Sequence, residues 1–300
     1  MLYKQERRKE MLMAFGLIFP TIISFMMFLY IPFINAIRIG FYRFTGMAGM
    51  TDFIGLDNYI AVLNDPMFQT SLWNTFLVML ASVGIGIPIG FALAYILYIG
   101  VPGARFFQVS LFIPFLISMV VVGVIWRVIF DPIIGPINQL LVMVGMEQHV
   151  TAWLSRRETA LGAVTITWIW RTVPFNMLIM YANILKMPSD FIEAADIDGA
   201  TTFQKLRYVI IPYMASTFNV LVILVVTNTL RLFDLVWVMT RGGPGGATEV
   251  ITSFIYRRSF EVQNIGQGTA ASIMLMVIML VIMGVVSIGK VLLRRRYSRD

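Results

Sequence analysis

The chain has 300 residues, 58% hydrophobic and 13% charged, with a mean hydropathy of +0.81, which excludes a soluble globular domain with an ordinary surface. It has no cysteine and one histidine, His149, so disulfides, thiolate metal sites and a Cys nucleophile are excluded, and a His-rich metal site or a Ser-His-Asp triad is disfavoured. The net charge of +7 sits in Lys and Arg beside apolar runs at the chain ends, which fits anchoring beside a membrane and not nucleic-acid binding.

A helix needs about 20 apolar residues to cross the hydrocarbon core. Six segments reach that length, at 11–38, 69–99, 107–130, 159–185, 210–239 and 268–290. They are continuously apolar and lack the alternation of a membrane barrel, so the expectation is an all-α polytopic membrane protein with six transmembrane helices. The first segment follows a basic stretch as in a secretory leader, but no cleavage site of small residues follows, so it reads as a retained helix. In the second, "GIGIPIG" at 84–90 predicts a kink or a close helix contact. "GVPGAR" at 100–105 is a tight loop, "DPIIGP" at 131–136 a breaker-rich exit, and "RGGPGGAT" at 241–248 stops a helix. No Ser/Gly linker or low-complexity tail divides the chain, so residues 1–300 read as a single domain. Its 21 methionines read as adaptable packing.

With both termini in the cytoplasm, segments 1–10, 100–106, 186–207 and 290–300 hold 13 Lys and Arg in 50 positions, against seven in 86 for segments 38–68, 131–158 and 241–267. That is the bias of the positive-inside rule. The loop between the fourth and fifth helices is then cytoplasmic. Four of the 16 acids of the chain, Asp190, Glu193, Asp196 and Asp198, fall within nine residues of it. "PSDFIEAADIDGATTFQKLRYVIIP" predicts a short helix capped by Ser189 or Asp190, a turn at Gly199, and a second helix entering the membrane near Pro212. A solvated surface helix would explain the charge. The small residues at 194, 195, 199 and 200 favour a docking helix, because they let another backbone come close.

Charges inside a bilayer cost about 2.5 to 3.5 kcal/mol each on insertion scales and are functional candidates. Arg171 lies near the middle of the fourth helix, where it either pairs with a partner protein or lines a pathway. Arg231 and Asp234, at i and i+3 of the fifth, form a possible ion pair that fixes packing. A polar solute with apolar C–H faces needs flat aromatic walls plus hydrogen-bonding side chains. The fourth and fifth helices hold that combination in Trp168, Thr172, Phe175 and Asn176 on one and Thr227, Asn228 and Thr229 on the other.

Glu193-Ala194-Ala195, then Asp198-Gly199-Ala200, Phe203, Ile210 and Pro212, closely resemble the cytoplasmic EAA motif of binding-protein-dependent ABC importer permeases. "FIGLDNY" at 53–59, "WNT" at 73–75, "IPF" at 113–115 and "TRGGPGGAT" at 240–248 are similar to the carbohydrate branch, the maltose-type permeases. Arg241 departs from it, at a position where the family often has Gly or Asn. The resemblance implies a type I importer permease fold with a coupling loop at about 186–210. Its residues Glu193, Ala194, Ala195, Asp198, Gly199 and Ala200 would meet two ATPase subunits, beside a second homologous permease and an extracytoplasmic solute-binding protein. It also implies a solute site at Phe115, Trp168, Thr172, Phe175, Asn228, Thr229 and Leu232, to which the reading of charge adds Arg171. No cofactor is implied. The chain carries no G-x-x-x-x-G-K-S/T phosphate loop, so ATP chemistry belongs to partner subunits. The rival reading, an ion-coupled secondary transporter, calls for embedded carboxylates and an internal repeat, and only Asp234 is embedded.

Overall fold

A computed structural model of the chain describes residues 2–297. Met1 and residues 298–300, at the basic ends used for the orientation argument, lie outside the described residues. The first apolar run forms α1 (Leu2–Phe25), a π-turn at Met26–Tyr30 and α2 (Ile31–Ile39). A short antiparallel hairpin follows, β1 (Tyr42–Thr45) and β2 (Gly49–Phe53), with Tyr42 opposite Phe53 and Thr45 opposite Gly49. It corrects the all-α expectation locally. The turn is made by Gly46 and Gly49, at φ +43° and +70°, conformations that glycine adopts without penalty.

The chain continues with α3 (Asp57–Leu63), α4 (Pro66–Ala81) and, after a π-turn at Ser82–Gly86, α5 (Ile87–Tyr98). Next come α6 (Ala104–Leu116), α7 (Met119–Ile129), α8 (Pro136–Met143) and the 28-residue α9 (Arg157–Ile184). The loop after it carries α10 (Ser189–Ile197), α11 (Thr202–Lys205) and, beyond a π-turn at Leu206–Ile210, α12 (Ile211–Tyr213). The last elements are α13 (Ala215–Leu230), α14 (Asp234–Met239), α15 (Ile251–Tyr256) and α16 (Ile265–Tyr297).

Among the described residues, three helices are long and apolar enough to cross a membrane, Met13–Ile39, Pro66–Tyr98 and Ile265–Val286. Two bent pairs raise the number to five if each is one span: α6 with α7, at 99°, and the helical stretch Thr202–Tyr213 with α13, at 63°. The third expected span is therefore an elbow and the fifth a broken rod, where continuous helices were expected. α9, the fourth, has the length but is not in that group, because Thr165, Thr167, Arg171, Thr172 and Asn176 interrupt its apolar residues.

Contacts divide the chain into two compact units. In the unit of residues 1–64 and 255–274, buried Asn58 donates from Nδ2 to the carbonyls of Gly40 (3.0 Å) and Tyr42 (2.8 Å), which ties α3 to the end of α2 and the start of the hairpin. The stretch Met13–Ile39 buries nothing within the chain, as suits a helix that faces lipid. In the unit of residues 65–254 and 275–300, two apolar clusters surround α9. One joins it to α7 and α14 through Val122, Val164, Trp168, Leu235 and Val236, and the other to α5 and α13 through Ala94, Met177, Met180, Leu221 and Val225. The predicted close contact at 84–90 is present. A Cβ on Gly90 would stand 3.0 Å from the Asn176 Cβ and 3.2 Å from the Met177 nitrogen, so glycine lets the α5 and α9 backbones touch.

Candidate functional site

Within α9, Trp168, Thr172 and Phe175 recur at i, i+4 and i+7 and share one helical face. Phe115 from α6 lays its ring on Phe175, centroids 4.9 Å apart and planes 16° from parallel. With Asn176, Leu224, Val225 and Asn228 these four residues bound a cavity of about 20 Å³. Its aromatic walls are fixed while its polar groups are only partly used. The Thr172 hydroxyl donates to the Trp168 carbonyl at 2.9 Å. The Trp168 ring is buried, 6% exposed, and its Nε1–H has no hydrogen-bond partner.

Five of the eight expected solute residues thus meet: Phe115, Trp168, Thr172, Phe175 and Asn228. Three do not line the cavity. Thr229 is buried and donates its hydroxyl to the Val225 carbonyl at 2.8 Å. Leu232 lies in the apolar cluster with Val122 and Val236, because the helix ends at Leu230 and turns it away from Asn228. Arg171 stands behind the wall, its guanidinium carbon 4.4 Å from the centre of the Phe115 ring and its Nε donating to the Ile117 carbonyl at 3.2 Å. The suggested ion pair is absent too. Residues 231–233 interrupt the helix between α13 and α14, so Arg231 and Asp234 do not share a helical face. Both are exposed, and no salt bridge joins them. Leu224 and Val225 were missed as lining residues, since nothing distinguishes them from other apolar residues of α13.

The acidic loop folds as a helix, a tight turn and a helix. Pro188 occupies the position before α10 and no side chain caps it, so Ser189 and Asp190 are not caps; Asp190 lies in the first turn, where the helix dipole favours its charge. Gly199, at φ +72°, ends α10. Its N–H reaches the Asp196 carbonyl (3.1 Å) and that of Ala200 the Ala195 carbonyl (2.9 Å), the paired bonds of a Schellman turn. Thr201 and Gln204 then form a capping box that starts α11. Lys205 donates from Nζ to Asp196 across the turn, bracing the two helices. Glu193, Ala194, Asp198 and Gly199 are exposed and Ala200 is partly buried, whereas Ala195 is buried against its own chain and offers no surface. Two large apolar side chains do, Ile197 at 87% and Phe203 at 72% exposure.

The separated motifs at 73–75 and 240–248 converge as well. Asn74 donates from Nδ2 to the carbonyls of Gly246 (3.2 Å) and Glu249 (2.9 Å), and Thr75 accepts from the Ile251 N–H at 3.1 Å. Arg241 sits at φ +51°, a left-handed backbone that Gly or Asn adopts more readily.

Residues 86–299 match the family of binding-protein-dependent transport system inner membrane components. The chain belongs to this family. The permease is 33% identical over 264 residues to a probable ABC transporter permease protein of Pyrococcus horikoshii, covering 88% of this chain and 90% of that one. It is 32% identical over 282 residues to a probable starch degradation products transport system permease protein of Thermoanaerobacterium thermosulfurigenes, covering 92% of each. Its fold matches a chain of a bacterial alginate ABC transporter, solved in complex with an alginate pentasaccharide-bound periplasmic protein, at a TM-score of 0.81, 25% identity and 95% coverage of both chains.

Proposed function

We propose that the permease carries a carbohydrate or carbohydrate-like solute into the cytoplasm as one membrane domain of residues 1–300 with six spans and both termini inside. It works beside a second permease, two ATPase subunits and an extracytoplasmic solute-binding protein. The relatives named for starch products and alginate support the solute class. The observation that carries the site is the cavity at Phe115, Trp168, Thr172, Phe175 and Asn228, in which aromatic side chains stand together with a hydroxyl and an amide able to bond a sugar hydroxyl. At about 20 Å³ it has room for one hydroxyl or one water, so a sugar ring binds there only after Phe115 parts from Phe175.

The turn at Gly199, with Ile197, Phe203, Glu193 and Asp198 exposed around it, supports docking on the ATPases. A docking helix transmits force only if its own fold is stiff, and the Schellman turn, the capping box and the Lys205 to Asp196 brace supply that stiffness. Tagged permease purified in detergent should bring down two ATPase copies and a second permease. Recovery of the chain alone, with uptake driven by an ion gradient, would establish the secondary transporter instead.

A further inference from the structure

α6 and α7 meet at an elbow of 99° inside a segment long and apolar enough to span the membrane. An elbow there releases backbone carbonyls that a continuous helix would have used, and hydrocarbon offers them no donor. Ile117, at φ −73° and ψ 138°, ends α6. Ser118 caps α7 through its hydroxyl, which accepts from the Val121 N–H at 3.4 Å. The Ile117 carbonyl is met from α9, by Arg171 Nε at 3.2 Å. Two residues before the elbow, the Phe115 ring contacts both the Arg171 guanidinium, whose carbon is 4.4 Å from its centre, and the Phe175 ring, stacked on it with centroids 4.9 Å apart. Arg171 and Phe175 are one helical turn apart on α9, so a single stretch of helix grips both the ring and the carbonyl behind it.

We infer that Arg171 is a positioning residue of the transport pathway. It locks the Ile117–Ser118 elbow and sets Phe115 as a cavity wall, and it does not itself bind the solute. A charge in this place thus serves geometry and leaves the solute free to be neutral. The inference rests on the reading of the cavity as the solute site only for its transport consequence; the lock on the elbow stands on the contacts alone.

The chain has no natural cysteine, so spin labels can be placed at Val109→Cys and Val124→Cys, exposed positions on the two arms, in the assembled complex. The parent should give one narrow distance distribution. Arg171→Met and Arg171→Lys, neither of which can donate from a guanidinium Nε, should broaden it, while Phe115→Leu should leave it narrow. An unchanged distribution in both Arg171 variants overturns the inference. ATPase stimulation, measured with the cognate binding protein and with maltotriose or an alginate trisaccharide as probes, separates positioning from charge recognition. Arg171→Met should lower stimulation by whichever probe is active, and adding it to Phe115→Leu should cause little further loss. Loss confined to the acidic probe would overturn positioning in favour of direct anion binding. If Trp168→Ala and Asn228→Ala leave stimulation intact while Arg171→Met broadens the elbow, the cavity reading fails and the lock remains.

Discussion

Asn228 tests what a single side chain contributes to the proposed solute site. It stands at the cavity margin beside Trp168, where its amide supplies both a donor and an acceptor for a solute hydroxyl. A lost hydrogen bond at an exposed margin costs about 0.5 to 1.5 kcal/mol, so Asn228→Ala should weaken solute-dependent transport roughly two- to tenfold. Assembly should be unchanged, because the side chain is at the exposed edge of α13; uptake by the variant at parental rate and preference would remove the residue from the site. Asp131 gives a second test, outside the spans. Its carboxylate accepts from the N–H groups of Ile133 (2.8 Å) and Ile134 (2.9 Å), which hold its pKa below the usual carboxylate value. A lowered folded pKa means that the turn is supported at neutral pH and loses support only as pH falls through that lowered value. A spin label on a cysteine replacing Ile134 should therefore keep one mobility from neutral pH down through the ordinary Asp range, and Asp131→Ala should raise that mobility at every pH. Among these residues the aromatic wall was legible because helical spacing alone places Trp168, Thr172 and Phe175 on one face. Arg171 was legible as a costly charge but not as a lock, since no pattern in residues 104–129 reveals which carbonyl the elbow leaves open.

The loop at 186–210, proposed to dock on the ATPases, is the element in which local rules decide most. The sequence announces its turn through Gly199, and the backbone there has φ +72° with nothing within 4 Å of where a Cβ would stand. The obstacle to substitution within the chain is conformational, about 1 to 2 kcal/mol for an L-residue in a left-handed position. Gly199→Ala should therefore fold and retain part of the transport, whereas Gly199→Val, β-branched in that backbone, should insert normally but lose ATPase retention and uptake. Normal uptake by the valine variant would refute docking at this turn. Charge reversal at Glu193 tests the exposed face, and Ile197→Asp tests the apolar tip that the charge pattern concealed. Two other features escaped sequence reading for different reasons, a break without a breaker and strands too short to show a period. Residues 231–233, Arg-Leu-Phe, end α13 without a glycine or proline, so Arg231 and Asp234 looked like neighbours on one helix. The hairpin at Tyr42–Phe53 has strands of four and five residues, too short for a period-of-two pattern to stand out from its surroundings.

Over the whole molecule, distant motifs make sense once their contacts are known. Asn74 and Gly246 are 172 positions apart and hydrogen-bonded, so the "WNT" and "RGGPGGAT" signatures are two halves of one structural joint, and a sequence can show both without showing that they meet. Membrane orientation rests on a different global property, the density of Lys and Arg, at 13 in 50 positions for the segments assigned to the cytoplasm and seven in 86 for the others. Each positive charge carried across the bilayer during insertion is costly, and that asymmetry is the argument for the proposed side of each loop. The structure supplies probes for it. Ile197, in the coupling loop, is 87% exposed, and Ile133, in the exit after α7, is 85% exposed, so a cysteine at either position of this cysteine-free chain is open to a reagent without disturbing the core. In sealed right-side-out vesicles holding the permease without its ATPase subunits, a membrane-impermeant maleimide should label Ile133→Cys and spare Ile197→Cys. In inverted vesicles the pattern should reverse. Labelling of both from one side would overturn the six-span topology, since the two loops are separated by α9 alone and an odd number of crossings must lie between them.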